Sequence, residues 1–118
     1  MSPMKPVEIK VQTHDGASLV TVAGHLVAAE SSYLAAALED LIAGKESLII
    51  VDMSRVKLIT SEGLGVLIRA RKDASEYDGR LVLCGLSGNV LDIFKMTRLD
   101  KVFAMYESPA AALSAASG

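Results

Sequence analysis

The sequence holds a single cysteine, and one thiol can close neither a disulfide nor a cysteine metal knuckle within one chain. That usage fits a reducing, cytoplasmic setting. Cys84 stands in "RLVLCGL" among apolar residues, with no histidine or cluster of cations beside it, and is expected to act as a small hydrophobe rather than a nucleophile. Long apolar runs are missing too: none approaches the roughly 20 residues that span a bilayer. The start "MSPMKPVEIK" has no cationic region followed by an apolar stretch, so a soluble, unprocessed chain without membrane insertion is expected. Net charge is equally scarce, at −2, and the twelve Lys and Arg are scattered, which predicts no nucleic-acid surface. The one local cluster, Arg69, Arg71 and Lys72, reads as a solvated helix face.

Catalytic furniture is also short. An enzyme of this size would show a nucleophile with its base, a carboxylate pair in contrasting environments, or a metal cluster. The two histidines, His14 in a turn and His25 near a strand end, share no motif with a Ser, Cys or acidic partner, and surface positions are expected for both. No Gly-x-x-x-x-Gly-Lys loop is present, and "GLGVL" lacks the third glycine of a dinucleotide fingerprint. The expectation is a chain with no catalysis of its own, no metal and no cofactor.

What is there is a globular composition, 51% hydrophobic over 118 residues, sufficient for one core and one domain over 1–118. Residues 1–5 and 115–118 are expected to be loosely held. Val7, Ile9 and Val11 alternate with polar residues, and Asp15-Gly16 separates them from "SLVTVAG", which predicts a hairpin. Leu34, Leu38, Leu41 and Ile42 recur at helical spacing over about 31–43, before Gly44. "LIIVDM", Leu48 to Met53, is a short apolar run that ends in polar residues, as in a central strand covered on both faces. A second helix follows with Leu64, Leu67, Ile68 and Arg71 on one stripe, then the strand "RLVLCGL". A third helix aligns Val90, Ile93, Phe94 and Thr97, "KVFAMY" gives a last strand, and a helix starts at Pro109. The order predicts an α/β fold: a mixed, mostly parallel sheet of about five strands with an N-terminal antiparallel hairpin and about four helices.

The one suggestive place is "LITSEGLGVLI", where a strand end meets a helix start, since sites in open α/β sheets lie beyond the carboxyl ends of strands. Thr60 or Ser61 can accept a hydrogen bond from the first helical turn, and Glu62 suits its positive end. Gly63 and Gly65 each cost about 1 kcal/mol against alanine inside a helix, so each is expected to permit close approach, of the protein's own sheet or of a partner. A phosphoryl group on a serine here would meet free N–H groups while changing the charge any docked partner meets.

On "LIIVDMSRVKLITSEGLGVLI" and "VLDIFKMTRLDKVFAMYES", in this order and followed by an alanine-rich helix, the chain resembles the STAS domain family over nearly its whole length. That family includes bacterial anti-sigma factor antagonists and cytoplasmic domains of sulfate transporters. The resemblance implies a STAS-like fold and a site over Thr60, Ser61, Glu62, Gly63, Leu64 and Gly65, with Ser61 at the phosphorylated position and Thr60 a lesser acceptor. It implies that the unphosphorylated chain binds an anti-sigma factor that is also a serine kinase, with a histidine-kinase-like ATPase fold. Phosphorylation would release the complex, a serine phosphatase would reset it, and the free chain would be a monomer. Three positions depart from the family pattern: Thr60 replaces its aspartate, Glu62 its second hydroxyl residue, and Val27 in "GHLV" an aspartate. These departures keep open an alternative, an unphosphorylated scaffold or subunit of a transporter or signalling complex.

Overall fold

The alternating residues Val7–His14 form strand β1, which pairs antiparallel with β2, Ala17–Leu26, in a computed structural model describing residues 7–14 and 16–117. His14 pairs with Ala17, so the loop has two residues; Gly16 takes φ +78°, a conformation glycine adopts freely, while Asp15 lies outside the described residues. After a 3₁₀ turn at Ala28–Glu30 come α1, Ser31–Ala43; β3, Leu48–Ile59; α2, Ser61–Ser75; and β4, Arg80–Cys84. Helix α3, Gly88–Met96, a 3₁₀ turn at Leu99–Lys101, β5, Met105–Tyr106, and α4, Pro109–Ser117, complete the chain. The sheet order is β1-β2-β3-β4-β5, antiparallel only between β1 and β2, so the expected α/β class and mixed sheet are observed.

Because β2 through β5 are laid side by side in chain order, right-handed crossovers put α1, α2 and α3 on one face. Their buried Leu34, Leu38, Leu67, Val90 and Phe94 join Val20, Val22, Ile49, Val51 and Leu83 of the sheet in the main core. The other face holds a smaller cluster, in which Leu48, Ile50, Val82 and Cys84 meet Ala112 of α4. Alternate residues of Leu48–Val51 thus enter opposite cores, which is why that stretch is apolar without interruption.

Four sequence expectations need correcting. Strand β3 does not stop at Met53 but runs to Ile59. Its register with β2 slips between Thr21 and Ala23 and again between Gly24 and His25, where β3 carries an extra residue each time. These bulges shift the phase, so the buried residues Met53, Val56 and Ile59 fall three apart and the alternation disappears from the sequence. In α2 the inward stripe is Gly63, Leu67, Ala70 and Ala74, whereas Ile68 is 43% exposed and Arg71 is fully on the outside. In α3, Val90 and Phe94 are buried, but Thr97 is an exposed C-terminal cap whose hydroxyl donates to the Ile93 carbonyl at 2.7 Å. The last strand is only Met105–Tyr106, since a 3₁₀ turn occupies Leu99–Lys101. Residues 115–117 form the last turn of α4; residues 1–5 and Gly118 lie outside the described residues.

Cys84 is fully buried, and burial, then the nearby Asp52 carboxylate, pushes its thiol up to about 12. A thiol raised above its ordinary value keeps its proton in the folded state. Its contribution to stability is therefore complete below about pH 9 and fades between there and about 12. Alkylation of the native chain by iodoacetamide at pH 8 is expected to proceed only as fast as the protein opens, with the free rate returning in urea. Rapid labelling of the native chain would contradict the burial.

Candidate functional site

The junction is built where the long-range register ends. Leu26 pairs with Ile59, and the Thr60 N–H then donates to the Leu26 carbonyl at 3.1 Å, one rung past the strand. Thr60 is extended, with φ −112° and ψ −179°, and its carbonyl accepts the Leu64 N–H at 3.0 Å as α2 begins. Ser61, Glu62 and Gly65 are exposed, Thr60 and Leu64 half-buried, and Gly63 buried.

The helix cap differs from the sequence expectation, in which Thr60 or Ser61 accepts a bond from the first turn. Thr60 makes no side-chain cap bond. Its hydroxyl donates to Glu62 Oε1 at 2.8 Å, with the Leu26 carbonyl a further 3.4 Å neighbour, and the Ser61 hydroxyl donates more weakly to the same Oε1 at 3.4 Å. A hydroxyl gains more by donating to an anion than by accepting from an amide, so the carboxylate two residues on takes over. The Thr60 hydroxyl, then the Glu62 backbone N–H and more weakly the Ser61 hydroxyl, hold the Glu62 carboxyl below the usual range against a slight desolvation. Glu62 is therefore the anion already seated at the positive end of α2.

The two glycines separate. A Cβ on Gly63 would stand 2.8 Å from the Leu26 carbonyl oxygen and 2.9 Å from Ile59 Cγ1, whereas one on Gly65 would meet nothing within 4 Å. Close approach to the protein's own sheet explains Gly63; Gly65 instead leaves a gap on the exposed face. The residue that sequence reasoning missed is Leu26, which holds Thr60 and walls Gly63, and no local signal marks it. Val27, next to it, is half-buried ahead of the 3₁₀ turn.

From Ser61 the outer surface of α2 continues at helical spacing through Leu64 and Gly65 to Ile68, then Arg71 and Lys72. Beside it, a groove of about 400 Å³ between α1 and α2 is lined by Leu38, Ile42, Glu62, Gly65, Arg69 and Asp73, among others. Arg69 reaches Asp73 at 3.9 Å, an exposed pair of little energetic weight. His25 is exposed at the end of β2, and the His14 side chain lies outside the described residues. Among the described residues no group of three or more His, Cys, Asp or Glu comes together, and no helix is long and apolar enough to cross a membrane. Chemically, the junction offers an accessible hydroxyl on a fixed backbone, with an acceptor carboxylate beside it.

A family model described as the STAS domain matches residues 8–112. A Bordetella bronchiseptica protein named as an anti-sigma factor antagonist, BtrV, is 29% identical over 101 residues, covering 86% of this chain and 87% of its own. The anti-sigma-B factor antagonist of Listeria monocytogenes is 32% identical over 97 residues, covering 81% and 83%. Among solved structures, an anti-sigma factor antagonist from Mycobacterium paratuberculosis superposes with a TM-score of 0.84 at 25% identity, over 98% of this chain and 97% of the other. The phosphorylated form of the Bacillus cell fate determinant SpoIIAA gives a TM-score of 0.74 at 16% identity, over 92% and 99%.

Proposed function

The chain belongs to the STAS domain family, and from that premise we propose that it is an anti-sigma factor antagonist switched by phosphorylation of Ser61. Unphosphorylated, it binds a cytoplasmic anti-sigma factor that is also a serine kinase with a histidine-kinase-like ATPase fold, so that a sigma factor is freed. Phosphorylation ends that complex and a serine phosphatase restores it. The chain itself is a binding module and a kinase substrate. Its docking surface is Thr60 to Gly65 with the outward strip of α2.

The observation that carries this reading is the exposed Ser61 hydroxyl at the first residue of α2, on a backbone fixed by the Leu26 carbonyl. A phosphoryl group of charge about −2 there would seek the same N–H groups that Glu62 now faces, so the carboxylate must turn away as it enters. Phosphorylation then replaces one seated anion by a larger one in the middle of the docking surface. Thr60 is the lesser acceptor, since its hydroxyl is already bound to Glu62 at 2.8 Å.

Incubation with the cognate kinase and ATP, followed by mass spectrometry, is expected to place one phosphate on Ser61; modification elsewhere alone would sink the assignment. The Ser61→Asp variant is expected to keep its fold and to bind the kinase at least about tenfold more weakly. Equal affinity of both forms would contradict the switch. A second reading has one observation in its favour: Glu62 already supplies a negative charge at the seat, as an unswitched scaffold or complex subunit would permit. Pull-down of a transporter subunit, with no ATPase of the kinase type, would favour that reading.

A further inference from the structure

Strand β1 is the free edge of the sheet: among the described residues it pairs with β2 alone. We propose that a second copy of this chain pairs with it, β1 against β1 antiparallel, about a two-fold axis at Ile9. In that register Glu8 faces Lys10 of the second copy and Lys10 faces its Glu8, while Val7 faces Val11 and Ile9 faces Ile9. Glu8 and Lys10 are exposed on one side of the strand, and Val7 and Ile9 turn to the α1 side, where they join the main core. Opposite charges directly across a strand pair stabilise it, and like charges oppose it.

The sequence of the edge rejects the neighbouring registers. Moving the axis by one residue to Glu8 sets Glu8 against Glu8, and moving it to Lys10 sets Lys10 against Lys10. A half-step puts Glu8 opposite Ile9 and mixes a charged with an apolar side. Edge charges ordinarily block strand addition, but here they are complementary in one arrangement of two identical chains. The apolar side is also incomplete. Val11 is 42% and Tyr33 of α1 is 65% exposed, beside an open groove of about 560 Å³ along this edge that Val7, Ile9 and Val11 line together with the charged Glu8, Lys10 and Arg55. The partner's apolar row would lie over it. This departs from the expectation of a free monomer and does not depend on the role of Ser61.

Sedimentation velocity at low ionic strength, from about 10 µM to about 1 mM, is expected to show the unmodified chain associating with concentration. Lys10→Glu places Glu8 against glutamate, and Glu8→Lys places Lys10 against lysine; each alone is expected to weaken association at least about tenfold. An equimolar mixture of the two variants restores opposite charges at both pairs and is expected to associate as the unmodified chain does. Circular dichroism of each variant checks that these exposed changes leave the fold intact. A chain that stays monomeric throughout would overturn the proposal, as would association insensitive to either variant, or a mixture that fails to recover.

Discussion

Gly63→Ala is expected to lower the unfolding free energy by about 2 kcal/mol, and Gly65→Ala to raise it by up to about 1 kcal/mol, although both place alanine in the first turns of one helix. The difference lies in what the new methyl group meets. At Gly63 it would stand 2.8 Å from the Leu26 carbonyl oxygen and 3.0 Å from Leu26 Cβ. That carbonyl accepts the Thr60 N–H at 3.1 Å, so moving it aside also strains the bond that starts the junction. The better helix propensity of alanine offsets part of the cost at Gly63 and is the whole effect at Gly65, where space is open. Urea titration with an unchanged slope measures both. Equal and same-signed shifts would show that α2 does not rest on Leu26 as described.

Phe94→Ala is expected to cost about 3–5 kcal/mol, more than the Gly63 change. Phe94 is fully buried and sits edge-to-face on Phe103, ring centroids 5.9 Å apart at 64°. Truncation leaves a cavity beneath α3 and removes the partner of the ring that anchors the turn before β5. The loss is a large fraction of the stability of a domain this size, so the variant is expected to unfold several molar units of urea earlier, or to be recovered poorly. A midpoint within experimental error of the parent would mean that α3 is not anchored through this ring.

The Gly63 variant also bears on the proposed switch. Gly63 and Leu26 fix how closely the first turn of α2 approaches the sheet, and Ser61 is the first residue of that turn. The tie is mechanical: the carbonyl that excludes a side chain at Gly63 also binds Thr60. Thr60 in turn holds the Glu62 carboxylate, which in the proposed switch a phosphate on Ser61 would displace. In the proposed function, the departures Thr60 and Glu62 therefore act as one hydrogen-bonded pair.

The sequence by itself determined the order and type of the elements. Alternation in Val7–Val11, the unbroken apolar run Leu48–Val51, the spacing Leu34 to Leu38 and the proline at Pro109 are local patterns, and secondary structure follows local patterns closely. It also brought the six residues of the junction to notice, because two glycines at a helix start are costly and visible. What only the tertiary structure decided were relations between segments far apart in the chain. Whether β3 ends at Met53 or Ile59 depends on two bulges in its pairing with β2. Which face of α2 turns inward depends on how close the helix lies to the sheet, which favours Gly63, Ala70 and Ala74 over the larger Ile68. Which glycine is indispensable depends on a carbonyl at Leu26, and whether Thr60 accepts or donates depends on where the Glu62 side chain comes to rest. Hydrophobic periodicity records how apolar each position is; register, approach distance and hydrogen-bond direction arise only when separate segments share the same space.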